Sequence, residues 1–113
     1  MKYIINNMKC PSVNEMYKVY YKKRAKLKKE IQEIAYYEIL KSGRKQFTQC
    51  RITLTASYKT KKRRDCDNLY AKPFIDALVA SGVITDDNSS VVRSVTLVID
   101  EKVKEDRVII EIN

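Results

Sequence analysis

Two aspartates separated by one residue directly follow four cations in the segment 61-KKRRDCDNL-69. A surface that only binds a polyanion gains nothing from acids beside the phosphates. In an extended chain, the side chains of Asp65 and Asp67 project from one face, with their Cα atoms about 6.6 Å apart at about 3.3 Å per residue. Two carboxylates about 5 Å apart repel by about 3 kcal/mol at an effective dielectric near 20. Nearby Lys or Arg side chains, or a divalent cation with oxygen ligands, would compensate this repulsion.

A second acidic pair, Asp86 and Asp87, stands in the segment 82-GVITDDNSS-90. If the chain folds back at this loop, one of the two approaches the first pair, and three carboxylates suit Mg²⁺ with water and a phosphate oxygen. The alternative is purely structural. Asp67 and Asn68 are good helix N-caps, and Asp-Asp-Asn is ordinary turn sequence. The spacing alone leaves both interpretations open.

The residue types that are absent exclude several catalytic mechanisms and metal sites. The chain has no histidine, which excludes Ser-His-Asp and Cys-His catalysis and histidine-bound transition metals. Its three cysteines are odd in number and form no C-x-x-C pair, so they predict neither a disulfide framework nor a structural zinc site. Catalysis here would have to use carboxylates, lysine, tyrosine or a hard cation.

The positive charge is concentrated in the first part of the chain. The net charge of the whole chain is +9. Residues 1–64 hold 18 Lys/Arg and 4 Asp/Glu, whereas residues 65–113 hold 5 Lys/Arg and 10 Asp/Glu. A basic region of this size indicates contact with a polyanion, most simply a nucleic acid. A merely solubilising surface is the alternative, although it does not explain the abrupt change of sign after residue 64.

Length and composition predict one globular domain over residues 1–113. Apolar residues make up 44% and charged residues 33%, and only two glycines and two prolines interrupt the chain. No apolar run approaches the roughly 18 residues of a membrane span, and the N-terminal segment lacks the apolar core of a secretory signal. We therefore expect a cytoplasmic protein without a membrane segment.

Hydrophobic periodicity predicts the elements that must position these residues. Alternation of apolar and polar residues in 47–58 is typical of a half-buried strand, and apolar residues three and four apart in 19–41 are typical of a helix, with Gly43 as its C-cap. The predicted apolar face of that helix comprises Leu27, Ile31, Ile34, Ala35 and Ile39. We predict strands at Tyr3–Met8, Phe47–Tyr58, Val91–Asp100 and Arg107–Ile112, helices at Val19–Lys41 and Pro73–Ser81, a loop over 10–17, and a hairpin connection at 101–106.

This order of elements predicts the α+β class. The expected architecture has two layers: a mixed sheet of about four strands with two helices packed on it.

The run 65-DCDNLYAKPFIDALVASGVITDD-87 resembles the signature of the RusA family of Holliday junction resolvases. That family shows D-x-D-N, then a short helix with a lysine and D-A-L, then a G-x-x-x-D-D turn. The loop 11-PSVNEMY-17 is similar to its N-terminal P-S-x-N-x-x-Y segment, and 61-KKRR-64 stands where the family is arginine-rich. The likeness covers nearly the whole chain.

The resemblance implies an Mg²⁺-dependent, homodimeric endodeoxyribonuclease that resolves four-way DNA junctions in recombination and repair. It implies that Asp65, Asp67 and Asp87 bind the metal and that Lys72 is the catalytic lysine. Asp76 matches the acid of D-A-L, and its expected role is an i, i+4 pair with Lys72. A phage or prophage origin is compatible with the family alone.

One feature departs from the family pattern. Lys72 lies one residue further from Asp67 than expected, and Pro73 predicts that 68–71 forms a turn that absorbs the extra residue.

The basic segment is expected to bind backbone phosphates through Lys59, Lys61, Lys62, Arg63 and Arg64. Three tyrosines, Tyr17, Tyr20 and Tyr21, could stack on exposed bases, but the preferred interpretation is that Tyr20 and Tyr21 pack in the core or in a dimer interface. The alternatives to a resolvase are a non-enzymatic DNA-binding protein, a metal nuclease acting on other branched DNA, and an RNA-binding module.

Overall fold

The structure is a computed structural model that describes all 113 residues. Its elements in chain order are β1 (Lys2–Asn6), α1 (Val13–Lys18), α2 (Tyr21–Lys41), β2 (Cys50–Ser57), a 3₁₀ turn (Cys66–Asn68), α3 (Lys72–Ala80), β3 (Val92–Ile99) and β4 (Arg107–Ile112).

The four strands form one mixed sheet in the order β1-β4-β2-β3. β2 pairs with β3 in parallel, whereas β4 is antiparallel to both β1 and β2. A parallel pair needs a crossover connection, and α3 supplies it between β2 and β3. The α+β class and the mixed sheet of four strands are confirmed.

The hydrophobic core lies between α2 and α3 and one face of the sheet. Buried residues alternate along β2 and β4, which are the two central strands. The fully buried residues of paired strands lie on the same face of the sheet. The helices add four buried residues to the same hydrophobic cluster: Ala35, Ile39, Phe74 and Leu78. The period-two pattern therefore predicted this face correctly.

The predicted hairpin between the last two strands is wrong. β3 and β4 do not pair, because β2 lies between them. The connection 101–106 passes over one strand, so β4 occupies the position between β1 and β2. A regular alternation in sequence identifies a strand but not its neighbours, because it records only which face of the strand is buried.

Two smaller boundaries also differ from the sequence-based expectations. The predicted loop 10–17 contains helix α1, whose N-cap Ser12 accepts a hydrogen bond from the Glu15 amide at 3.0 Å. Extended backbone at Val19 and Tyr20 then separates α1 from α2. Ile34, expected on the buried face of α2, is exposed, whereas Ala35 and Ile39 are fully buried.

The ends of the helices agree with the sequence. Gly43 and Gly82 both have positive φ and follow α2 and α3, as C-terminal glycines commonly do. None of the three helices has the length and apolar character that crossing a membrane requires.

Candidate functional site

The first acidic pair lies in a turn rather than in a strand. Asp65 has an extended backbone just before the 3₁₀ turn, and Asp67 lies inside that turn. Both residues are exposed, and neither takes part in a salt bridge. Neither residue caps a helix through its side chain, since the N-cap of α3 is Ala71. Capping of the following helix by Asp67 or Asn68, which was the structural alternative, is therefore not observed.

Contacts with the N-terminal segment hold this turn in place. The amide of Asn14 donates to the side-chain oxygen of Asn68 at 3.3 Å, and the Tyr70 amide donates to the Pro11 carbonyl at 2.9 Å. Ser12 and Leu69 form an isolated antiparallel bridge. The two parts of the chain that carry the family likeness are thus packed against each other.

The segment after the turn does not continue as a helix. Leu69 is extended, and α3 begins only at Lys72, with Pro73 in its first turn. A turn over 68–71 was predicted and is observed, but the restriction that proline places on the preceding residue does not explain it, because Lys72 is itself helical. The extra residue in the spacing is accommodated in an irregular stretch, so it does not rotate Lys72 around a helix.

The loop after α3 folds back and brings Asp87 to the start of that helix. The amides of Val83 and Ile84 both donate to the Leu78 carbonyl, and the Phe47 amide donates to the Val83 carbonyl at 2.8 Å. The ammonium of Lys72 then lies 3.5 Å from a carboxylate oxygen of Asp87. Two residues 15 positions apart in the sequence therefore meet in one site.

Asp86 and Asp87 have different surroundings. One Asp86 oxygen accepts from the Asp87 amide at 2.7 Å and the other from the Asn88 side chain at 3.1 Å. These hydrogen bonds lower the pKa of Asp86, and the bond from the Asp87 amide has the largest effect. Asp86 therefore stabilises the turn, whereas the carboxylate of Asp87 faces Lys72.

Lys72 also contacts Asp76, one helical turn further along α3. The Lys72 ammonium lies 3.5 Å from one Asp76 oxygen, which is the expected i, i+4 pair, and Lys28 of α2 lies 2.9 Å from the other. Asp76, and after it Asp87, raise the pKa of Lys72. The contact with Lys28 was not predicted, because Lys28 and Asp76 are far apart along the chain.

The carboxylates do not form a closed metal cage. No three Asp, Glu or Cys side chains are close enough together to hold a metal ion in this structure. Asp65 and Asp67 share one turn, and Asp87 is paired with Lys72. Their donor chemistry nevertheless fits a hard cation such as Mg²⁺, because all three offer exposed carboxylate oxygens.

The basic run before Asp65 lines a cleft of about 480 Å³. Lys61, Lys62, Arg63 and Arg64 line it together with Lys104 and other residues of the β3–β4 connection. The sequence did not predict that Lys104 lines this cleft, because its mixed-charge segment was interpreted only as a connection between strands.

The arginine at the end of that run has internal contacts of its own. The guanidinium of Arg64 lies 3.7 Å from the centre of the Tyr58 ring, and it donates to the Thr60 and Lys62 carbonyls. Lys59, Lys61, Lys62 and Arg63 are exposed, whereas Arg64 is half-buried. The first four are therefore open to a ligand, and Arg64 also shapes the loop that carries them.

Comparison with known proteins adds one match. The family model described as Endodeoxyribonuclease RusA matches residues 8–113, which is nearly the whole chain. No curated protein matches the sequence. The matched region includes the docked N-terminal segment, the turn with Asp65 and Asp67, and the Lys72–Asp87 contact. On this match the chain belongs to the RusA endodeoxyribonuclease family.

Proposed function

We propose that the chain is an Mg²⁺-dependent endonuclease that cuts four-way DNA junctions, and that it acts as a cytoplasmic homodimer. The proposed metal ligands are Asp65, Asp67 and Asp87, and the proposed catalytic lysine is Lys72. The observation that carries this proposal is the contact between Lys72 and Asp87, in a chain of an endodeoxyribonuclease family.

The absence of a closed cage is compatible with a magnesium site. Mg²⁺ usually keeps several waters and is held by one or two carboxylates together with phosphate oxygens of the substrate. Asp65 and Asp67 are exposed acceptors without a salt-bridge partner. When bound, the ion would polarise the scissile phosphate and lower the pKa of the attacking water.

Lys72 would act as a cation on the phosphoryl group. Asp76 and Asp87 raise the pKa of this lysine further above neutrality, and its ammonium has three donors. Asp76 and Asp87 orient it from two sides, which leaves a donor for a phosphoryl oxygen. A positive charge placed there stabilises the negative charge that develops in the transition state.

The exposed cations before the site would hold the DNA backbone. Lys59, Lys61, Lys62 and Arg63 lie within six residues of Asp65, so phosphates bound to them place the strand beside the aspartates. A dimer with twofold symmetry would present two such sites to opposing strands of a junction, which itself has near-twofold symmetry.

A cleavage assay on a labelled four-way junction, with and without Mg²⁺, tests the proposal. We expect Asp67→Asn to bind the junction with nearly unchanged affinity and to lose cleavage by about 100-fold or more. Asp86→Asn is the matched control, since its amide oxygen can still accept the hydrogen bond from the Asp87 amide, and we expect it to cut normally. Wild-type cleavage rates in Asp67→Asn would refute the site assignment.

The choice of substrate separates this proposal from its nearest alternative. Three-way and linear DNA of the same length and sequence should be cut at least tenfold more slowly than the four-way junction. Equal rates on three-way and four-way DNA would instead indicate a nuclease for branched DNA in general.

A further inference from the structure

Three exposed tyrosines cluster where α1 meets α2. Tyr17 lies in the last turn of α1, Tyr20 is the N-cap of α2 and Tyr21 is the first residue of α2. The three residues are 62%, 63% and 58% exposed. The ring centres of Tyr20 and Tyr21 lie 4.7 Å apart. The guanidinium of Arg24 lies 4.4 Å from the centre of the Tyr17 ring. Packing in the core, one of the roles expected for Tyr20 and Tyr21, is therefore wrong.

The same stretch carries an unusual concentration of positive charge. Residues 17–29 contain seven Lys or Arg and no acid. Only Lys28 has a carboxylate partner, Asp76; the other six cations have none. The cations without a carboxylate partner are Lys18, Lys22, Lys23, Arg24, Lys26 and Lys29. A ligand for this surface must therefore be strongly negative.

We propose that Tyr17, Tyr20 and Tyr21 form a stacking platform for unpaired DNA bases, and that the surrounding cations hold the phosphates of the same strand. Aromatic rings interleaved with cations are the usual means of binding single-stranded nucleic acid, because every base has a face that can stack. Intact duplex DNA cannot use such rings without unstacking, whereas the bases at an opened branch point have lost a stacking neighbour and expose a face to a ring.

Helix α1 carries Tyr17 and also contacts the candidate site. Asn14, three residues before Tyr17, donates to Asn68 of the turn that holds Asp65 and Asp67. A base seated on the tyrosines would therefore belong to a strand that passes close to that turn. This inference goes beyond the proposed nuclease function and requires no metal.

A second copy of this chain is the competing occupant, and the charges argue against it. The centre of a protein interface is usually depleted of charged residues. A twofold contact through this surface would bring two sets of unpaired cations together, and like charges repel. A DNA strand neutralises them instead.

Binding without cleavage tests the platform. Fluorescence anisotropy in EDTA would compare oligo-dT of about 16 nucleotides with an abasic phosphodiester of the same length. The wild type should bind the oligo-dT at least about fivefold more tightly, because stacking is possible only there. Equal affinity for the two oligomers would refute the proposal.

Variants separate stacking from charge. Tyr20→Leu with Tyr21→Leu should remove the preference for oligo-dT while leaving the salt dependence unchanged. Lys22→Gln with Lys23→Gln should weaken binding to both oligomers and reduce the slope of log K against log salt by up to about 1.4. Tyr37→Leu is the matched control: it lies on the same helix, is 62% exposed and falls outside the cationic run.

Sedimentation and melting measurements complete the test. A tyrosine variant that changes the oligomeric state but keeps the oligo-dT preference would assign this surface to a dimer and overturn the proposal. Thermal melts of each variant verify folding, and Tyr17→Leu provides an independent second variant. Because EDTA prevents metal-dependent cleavage, failure of the nuclease proposal would leave this result unaffected.

Discussion

Asp76 joins two helices and the candidate catalytic lysine, and its replacement by asparagine should destabilise the fold measurably. The residue is only 20% exposed, and its carboxylate lies 2.9 Å from Lys28 and 3.5 Å from Lys72, whose side chains are 31% and 54% exposed. Asp76→Asn keeps the shape of the side chain but removes its charge. It leaves the Lys28 ammonium, largely covered, without a carboxylate.

The magnitude follows from the geometry of the two pairs. The short, largely covered contact with Lys28 should contribute about 1–1.5 kcal/mol, near the lower end for a hydrogen bond to a charged group. The longer, half-exposed contact with Lys72 should contribute about 0.3 kcal/mol, as exposed pairs do. We therefore expect Asp76→Asn to lower the free energy of unfolding by about 1–2 kcal/mol, or Tm by about 4–8 °C in a domain of this size.

Urea unfolding in a double-mutant cycle measures this directly. Lys28→Met and Asp76→Asn, singly and together, should show a coupling of about 1 kcal/mol, because the two residues touch. Lys29→Met is the control, since that exposed neighbour has no carboxylate partner. Coupling below about 0.3 kcal/mol would mean that the Lys28–Asp76 contact between α2 and α3 does not form, and would refute the reasoning.

Three further predictions concern the thiols, a glycine and the basic run. At pH 8, Ellman's reagent should modify one thiol per folded chain, and Cys66→Ser should abolish that reaction, because burial raises the pKa of Cys10 to about 12 while Cys66 is exposed. Since the folded pKa of Cys10 is raised, its contribution to stability is complete below pH 9 and is lost as pH rises toward 12, so urea midpoints should fall over that range. Gly82→Ala should cost about 1–2 kcal/mol in urea unfolding, because Gly82 has a φ of +79° in the loop that returns Asp87; an unchanged midpoint would contradict this. Lys62→Gln should reduce the salt slope for duplex DNA by about 0.9, and an unchanged slope would exclude a phosphate contact there.

The sequence by itself determined most of the local secondary structure and the types of side chain available for catalysis. Period-two alternation identified β2, and three- and four-residue spacing identified α2, because burial on one face imposes those periods. The absence of histidine restricted any catalysis to carboxylates, lysine, tyrosine or a hard cation, and the D-x-D-N run indicated the carboxylates. The family likeness followed from the same residues, and the match over 8–113 agrees with it.

Only the tertiary structure decided which residues meet. It placed β2 between β3 and β4, brought Asp87 rather than Asp86 to Lys72, and paired Lys28 with Asp76. Each of these contacts joins residues far apart along the chain, and sequence periodicity carries no information about such partners, because it records only which face a residue occupies. Which residues become partners depends on burial and loop closure over the whole fold. These contacts can therefore be identified only from the tertiary structure.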